Sequence, residues 1–155
     1  MRLLIIEDKV EKFNTTYNYI KNVDDKIECV RATNLIEAKR IIKNTNYCFD
    51  GIVIDMMFPV SGMSIKMTAG IDFLQYLDYI ENKVPRVINT SGEETKDILK
   101  NNNYPNEVVI INSSRYNCYN QFKEFIDRVK QYKLLLETMS PTDVKHTMLE
   151  SIVTE

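Results

Sequence analysis

Short unbroken apolar runs alternate along this chain with longer stretches in which apolar residues return every three or four positions. The runs at residues 2–7, 27–30, 50–55, 84–90 and 108–111 are dominated by Ile, Val and Leu and bounded by polar residues, as expected of strands covered on both faces. Between them, Val10, Phe13, Tyr17 and Ile20 share helical spacing, as do Leu35, Ala38, Ile41 and Ile42, and then Ile71, Phe73, Leu74, Leu77 and Ile80. Each set predicts a helix with one apolar stripe. Thr33 or Asn34 can cap the second of these helices, and Asn44 and Asn46 end it. A short polar helix near Glu93 carries Ile98 and Leu99, and the segment from Val60 to Ala69 reads as irregular. Five strands alternating with five helices predict an α/β fold: a doubly wound, five-stranded parallel sheet with right-handed crossovers and helices on both faces.

The fifth helix, from about residue 118, carries Phe122, Phe125, Ile126, Val129, Tyr132, Leu135 and Leu136 and runs on towards Met139, so it is expected to outrun the sheet. Ser140-Pro141-Thr142-Asp143 then offers an N-cap serine, a proline at the first helical position and an acid in the first turn. An extra C-terminal helix is predicted there, with Val144, Met148 and Ile152 on one face. The expected organisation is one domain over 1–138 and a helical extension over 139–155. The extension either folds back on the fifth helix or meets a second copy or a partner.

At 155 residues, 44% hydrophobic, the chain can bury a core without disulfides. Twenty basic and twenty-two acidic residues give a net charge of −2 without a dense basic cluster, so nucleic acid is not an expected partner. Cys29, Cys48 and Cys118 lie far apart and are expected to be reduced, mostly buried thiols. The first apolar run is too short for a signal peptide or membrane span, which makes the cytoplasm the expected compartment and excludes a membrane role. Gly51, Gly62, Gly70 and Gly92 form no nucleotide-binding loop, and no further cofactor is expected. The single histidine, His146, excludes a histidine metal cluster or catalytic triad.

Two predicted strands end in acids. The first run closes on Glu7-Asp8 and the third on Asp55. In open α/β sheets, ligands collect outside the carboxyl ends of the strands, near the point where strand order reverses. Three acids meeting there repel one another unless a cation intervenes, which points to a Mg²⁺ site beside a nucleophilic aspartate.

These residues resemble the receiver domain of bacterial two-component response regulators over roughly residues 1 to 135. LLIIEDK is similar to the family's first strand with its acidic pair, FDGIVIDMMFP to the third strand with its phospho-acceptor, and VPRVINTSG to the fourth. The resemblance implies a flavodoxin-like sheet of order 2-1-3-4-5, with Asp55 as the phospho-acceptor. It further implies Mg²⁺ bound by Glu7, Asp8, Asp55 and the backbone carbonyl of Met57. Thr90 matches the hydroxyl residue that contacts the phosphoryl group, with Ser91 one position away as the fallback.

The chain departs from the family pattern in two places. No lysine stands at the end of the fifth strand, where Asn112-Ser113-Ser114-Arg115-Tyr116 follows Ile111; Arg115 is the candidate substitute. The segment between Pro59 and Gly70 is also long, with Met57, Met63 and Met67 lending it an adaptable apolar character; it is either a plain surface insertion or a surface for a partner or lid. Two functional readings stay open. One is a stand-alone receiver that takes a phosphoryl group from a histidine kinase or phosphotransfer protein and signals through an unknown downstream protein. The other is a pseudo-receiver that works without phosphate as a constitutive binding or homodimerisation module. Both are signalling domains rather than conventional enzymes; a hydrolase is disfavoured because Met57 stands where a second acid would serve as general acid.

Overall fold

A computed structural model describes residues 1–92, 94–111 and 115–139 of the chain, without the side chains of residues 111, 115 and 116. The predicted C-terminal helix, with His146, and the segment 112–114 lie outside the described residues.

Strands β1 (Arg2–Ile6), β2 (Glu28–Ala32) and β3 (Gly51–Asp55) come first in the main sheet, interleaved with helices α1 (Val10–Val23) and α2 (Leu35–Lys43). Two short strands, β4 (Phe58–Pro59) and β5 (Ile65–Lys66), precede α3 (Ala69–Tyr79), followed by β6 (Arg86–Thr90), α4 (Thr95–Asn101), β7 (Val108–Ile111) and α5 (Arg115–Thr138). The main sheet has five strands in the order β2-β1-β3-β6-β7, every neighbouring pair parallel. This is the doubly wound architecture expected from the alternating runs.

Alternation along the central strands divides the core in two. Leu4, Ile6, Ile52, Ile54 and Ile88 pack against Leu35, Ala38, Phe73, Leu77 and Leu99 of α2, α3 and α4. Leu3, Ile5, Val53, Val87 and Ile110 face Ile20 of α1 and Phe122, Phe125, Ile126 and Val129 of α5. Successive strand side chains point to opposite faces, so an unbroken apolar run is what two covered faces require.

Three local expectations need correction. The stripe of α1 is rotated: Val10 and Tyr17 are exposed, and Thr16 is buried beside Ile20. The polar Thr16 is accommodated because its hydroxyl accepts a hydrogen bond from Asn89 Nδ2 at 2.9 Å. The segment before α3 is ordered as a small antiparallel hairpin, with Phe58 opposite Lys66 and Pro59 opposite Ile65. Val60 O accepts a bond from Ile36 N at 3.1 Å, tying the hairpin to the start of α2, while Gly62 at its tip has φ of 64°, where a side chain would be strained. Cys48 is exposed rather than buried; Cys118 is buried and Cys29 half-buried.

Asn34 is the cap of α2, its Oδ1 accepting from Glu37 N at 2.8 Å. Near the end of α5, Leu134 and Leu135 are exposed, so Leu135 leaves the expected stripe. The helix's lysines reach back to the domain, Lys130 to Asp24 at 3.0 Å and Lys133 to Asp50 at 3.7 Å.

Helix α3 starts hard against the end of β3. Gly70 N donates to Met56 O at 2.9 Å, and a Cβ on Gly70 would stand 2.7 Å from Asp55 O and 3.0 Å from Met56 Cα. Both obstacles are backbone and cannot swing aside. Gly70→Ala should therefore cost about 1–3 kcal/mol of stability through overpacking, read as a lowered urea midpoint; an unchanged midpoint would show that α3 can withdraw freely from the loop.

Candidate functional site

Asp55 is the last residue of β3, and Glu7 and Asp8 follow directly on β1. These are adjacent central strands, and the order reverses between them, so their carboxyl ends frame the crevice where ligands collect in such sheets. One carboxylate oxygen from each of Glu7, Asp8 and Asp55 lies within 4.8 Å of the other two. The sequence-predicted trio is thus brought together.

Backbone contacts hold each acid in place. Glu7 N donates to Ala32 O at 2.9 Å. From β2, Arg31 Nε donates to Glu7 O at 3.0 Å and Arg31 Nη2 to Asp8 O at 2.8 Å. The guanidinium fork fixes the turn that carries both acids. Glu7 Oε2 accepts from Lys9 N at 3.3 Å, and Asp55 Oδ1 from Met56 N at 2.8 Å.

Burial makes these charges costly. Glu7 and Asp55 are only 2% and 6% exposed. Burial, reinforced by the Asp55 charge, pushes the Glu7 carboxyl up to about 8. Burial likewise raises Asp55, opposed by the Lys12 ammonium, a hydrogen bond with the Glu7 carboxyl and the Met56 amide. Without a bound cation the pair relieves its repulsion by keeping a proton on Glu7.

The donor set fits a hard cation. All three side chains offer oxygen, and the buried Glu7 Oε1 and Asp8 Oδ1 take no hydrogen bond. Met57, whose carbonyl is the fourth candidate ligand, lies two residues beyond Asp55 in the link to β4, its side chain partly exposed.

Thr90 ends β6, one position past Asn89, the residue in register with Asp55. Its buried hydroxyl accepts from Gly92 N at 3.2 Å and from Thr95 Oγ1, in the first turn of α4, at 3.1 Å. Ser91 is exposed just beyond the strand. Arg115 is the first residue of α5, and its side chain lies outside the described residues.

Four contributors were not singled out by the sequence pattern: Lys12, Arg31, Asn89 and Thr95. Lys12 Nζ lies 3.4 Å from Glu7 Oε1 and 3.6 Å from Asp55 Oδ1. Its position in the first turn of the helix after the acid pair was the available signal. Arg31 and Asn89 reach the site through pairings between distant segments, which no local pattern reveals; Thr95 lies five residues beyond Thr90, across the β6–α4 turn.

No protein-family model matches this chain, and no curated protein matches it in sequence. Solved structures do match its fold. The receiver domain of the Francisella response regulator 1452 superposes with a TM-score of 0.65 at 17% identity, covering 84% of this chain and 98% of that one. A CheY-like receiver domain protein from Methanospirillum hungatei JF-1 gives 0.62 at 17% identity, over 84% and 97% of the two chains. A receiver domain protein from Clostridium thermocellum gives 0.61 at 18% identity, over 86% and 98%. The chain has the fold of response-regulator receiver domains.

The raised carboxyl of Glu7 has a thermodynamic consequence. Between its ordinary value of 4.5 and about 8, the folded protein holds more protons than the unfolded chain, so this group's contribution to metal-free stability is full below that window and is lost as pH rises through it. In EDTA the urea midpoint should be lower at about pH 8 than at about pH 5.5, and Glu7→Gln should flatten the difference. An undiminished difference in that variant would assign the proton elsewhere.

Proposed function

We propose that this protein is a response-regulator receiver in which Asp55 accepts a phosphoryl group from a phosphohistidine on a histidine kinase or phosphotransfer protein, and which signals through contacts with a downstream protein. The observation that supports this reading is the convergence of Glu7, Asp8 and Asp55, with one oxygen of each within 4.8 Å of the others, at the carboxyl edge of a receiver-type sheet.

Phosphoryl transfer asks a protein mainly for positioning and charge neutralisation. An Asp55 carboxylate oxygen bonds to phosphorus while the phosphorus–nitrogen bond of the donor breaks; the leaving imidazole keeps the electron pair and takes up a proton. Asp8, Asp55 and the Met57 carbonyl, with Glu7 directly or through water, are the groups that would hold Mg²⁺, which when bound offsets charge on the phosphoryl oxygens. The Met56 amide orients the acceptor carboxylate, and Arg31 keeps the acid pair from splaying.

Thr90 is the residue positioned to read the product. Its hydroxyl accepts two hydrogen bonds and retains its own hydrogen for a phosphoryl oxygen. Turning to make that bond breaks its link to Thr95 and alters the start of α4. A phosphoryl group brings about −1.5 to −2 of charge and strong acceptors, enough to compete with one neutral hydroxyl pair. The cytoplasm is the compartment this reading implies.

The second reading, a pseudo-receiver acting without phosphate as a constitutive binding or homodimerisation module, draws on one observation. The Lys12 ammonium already stands against both Glu7 and Asp55, so the buried acids are partly neutralised without a divalent ion. Intact-mass measurement after incubation with acetyl phosphate and Mg²⁺ separates the two. The receiver reading expects one phosphoryl increment, prevented when EDTA is present from the start and absent in Asp55→Asn; its absence from the unaltered protein, with the metal present, favours the pseudo-receiver.

A further inference from the structure

We infer that Lys12 is the exchangeable cation of this site: it neutralises the charge that the Glu7–Asp55 pair retains while no divalent ion is bound, and turns to the phosphoryl oxygens once Mg²⁺ takes the carboxylates. The second half of this inference rests on the receiver reading; the first half stands without it.

The geometry is that of a tethered counter-ion. Lys12 Nζ is 3.4 Å from Glu7 Oε1 and 3.6 Å from Asp55 Oδ1, bridging acids that come from two different strands. Glu7 Oε1 is buried and has no hydrogen bond, so the ammonium is the polar group set against it. The Lys12 side chain is 28% exposed, against 3% for Glu7 and 8% for Asp55. Lys12 is therefore the solvent-accessible member of the cluster, and the two acids are its buried members. Lysine is suited to such an exchange because it carries a compact charge on a flexible stem, with three donors and no fixed plane.

Two ions cannot share these oxygens without repulsion. A divalent ion bound to Asp8 and Asp55 displaces the ammonium from Asp55 Oδ1 or is weakened by it. A phosphoryl group on Asp55 would add oxygens within the same few ångströms, giving the displaced ammonium a new anion on the same side of the site. The helix anchors the far end, since Phe13 beside Lys12 packs on the α1/α5 face. Lys12 thus brings from α1 a positive charge to the site whose β7-end sequence offers no lysine.

The signature is a pair of opposite effects from one substitution. Lys12→Gln keeps reach and helix propensity but removes the charge, and far-ultraviolet circular dichroism checks that it folds. In calorimetric titration with MgCl₂, Lys12→Gln should bind Mg²⁺ about tenfold more tightly than the unaltered protein, as expected for removing a like charge a few ångströms away; Lys12→Arg should stay close to it. Equal or weaker binding by Lys12→Gln, or no binding by either protein, overturns the counter-ion role. At saturating Mg²⁺, the same variant should bind beryllofluoride, a mimic of the phosphorylated aspartate, about tenfold more weakly. Undiminished beryllofluoride binding overturns the transfer to phosphoryl oxygens. Failure of the receiver reading is distinguishable: it appears as no acetyl-phosphate adduct on the unaltered protein, while the Mg²⁺ titration still decides whether Lys12 competes for the acids.

Discussion

The concentration of carboxylates at one buried edge is the constraint around which the rest of this structure is arranged. Glu7 and Asp55 are nearly inaccessible to solvent, and water cannot relieve their repulsion as it would at the surface. The surrounding groups answer that cost in different ways. Backbone amides of Lys9 and Met56 donate to the carboxylates, Arg31 grips the carbonyls beneath them, and Lys12 sets its ammonium against both acids. A retained proton on Glu7 completes the balance in the metal-free state. Any added cation enters a site already partly compensated, so affinity there is a difference between competing solutions to one electrostatic problem.

Precision at that edge comes from the sheet beneath it. Glu7 and Asp55 continue strands whose side chains are buried on both faces, so neither acid can shift without disturbing a close-packed core. Asn89, in register with Asp55, has its amide committed to Thr16 of α1. Sheet and first helix are therefore joined by a buried hydrogen bond from the residue in register with Asp55.

Much of this was legible in the linear pattern, for a physical reason. Strands buried on both faces have to be unbroken apolar runs, and helices over a sheet have to carry a stripe, so element order and fold class follow from hydrophobicity alone. The acid trio was legible because strand ends are recognisable and parallel strands end on the same edge. Pairing across the chain was not. In α1, Val10 and Tyr17 fit the stripe by hydrophobicity, yet Thr16 is the buried residue because Asn89, seventy-three positions away, satisfies its hydroxyl. The β4–β5 hairpin has strands too short to show an alternation. Lys12 and Arg31 look like ordinary basic residues until β1, β2 and α1 are assembled around the acids.

The contact between Gly70 and the end of β3 makes the surroundings of Asp55 mechanically lopsided. On one side, a glycine admitted only because it lacks a side chain locks α3 to Met56 and Asp55 through backbone. On the other, among the described residues, Thr90 is linked to the β6–α4 corner by its hydroxyl pair with Thr95 and by the Gly92 amide. Strain arising at Asp55 therefore has a stiff wall behind it and a soft latch in front. A change in charge at the aspartate would thus meet main-chain contact on the α3 side and exchangeable side-chain hydrogen bonds on the α4 side.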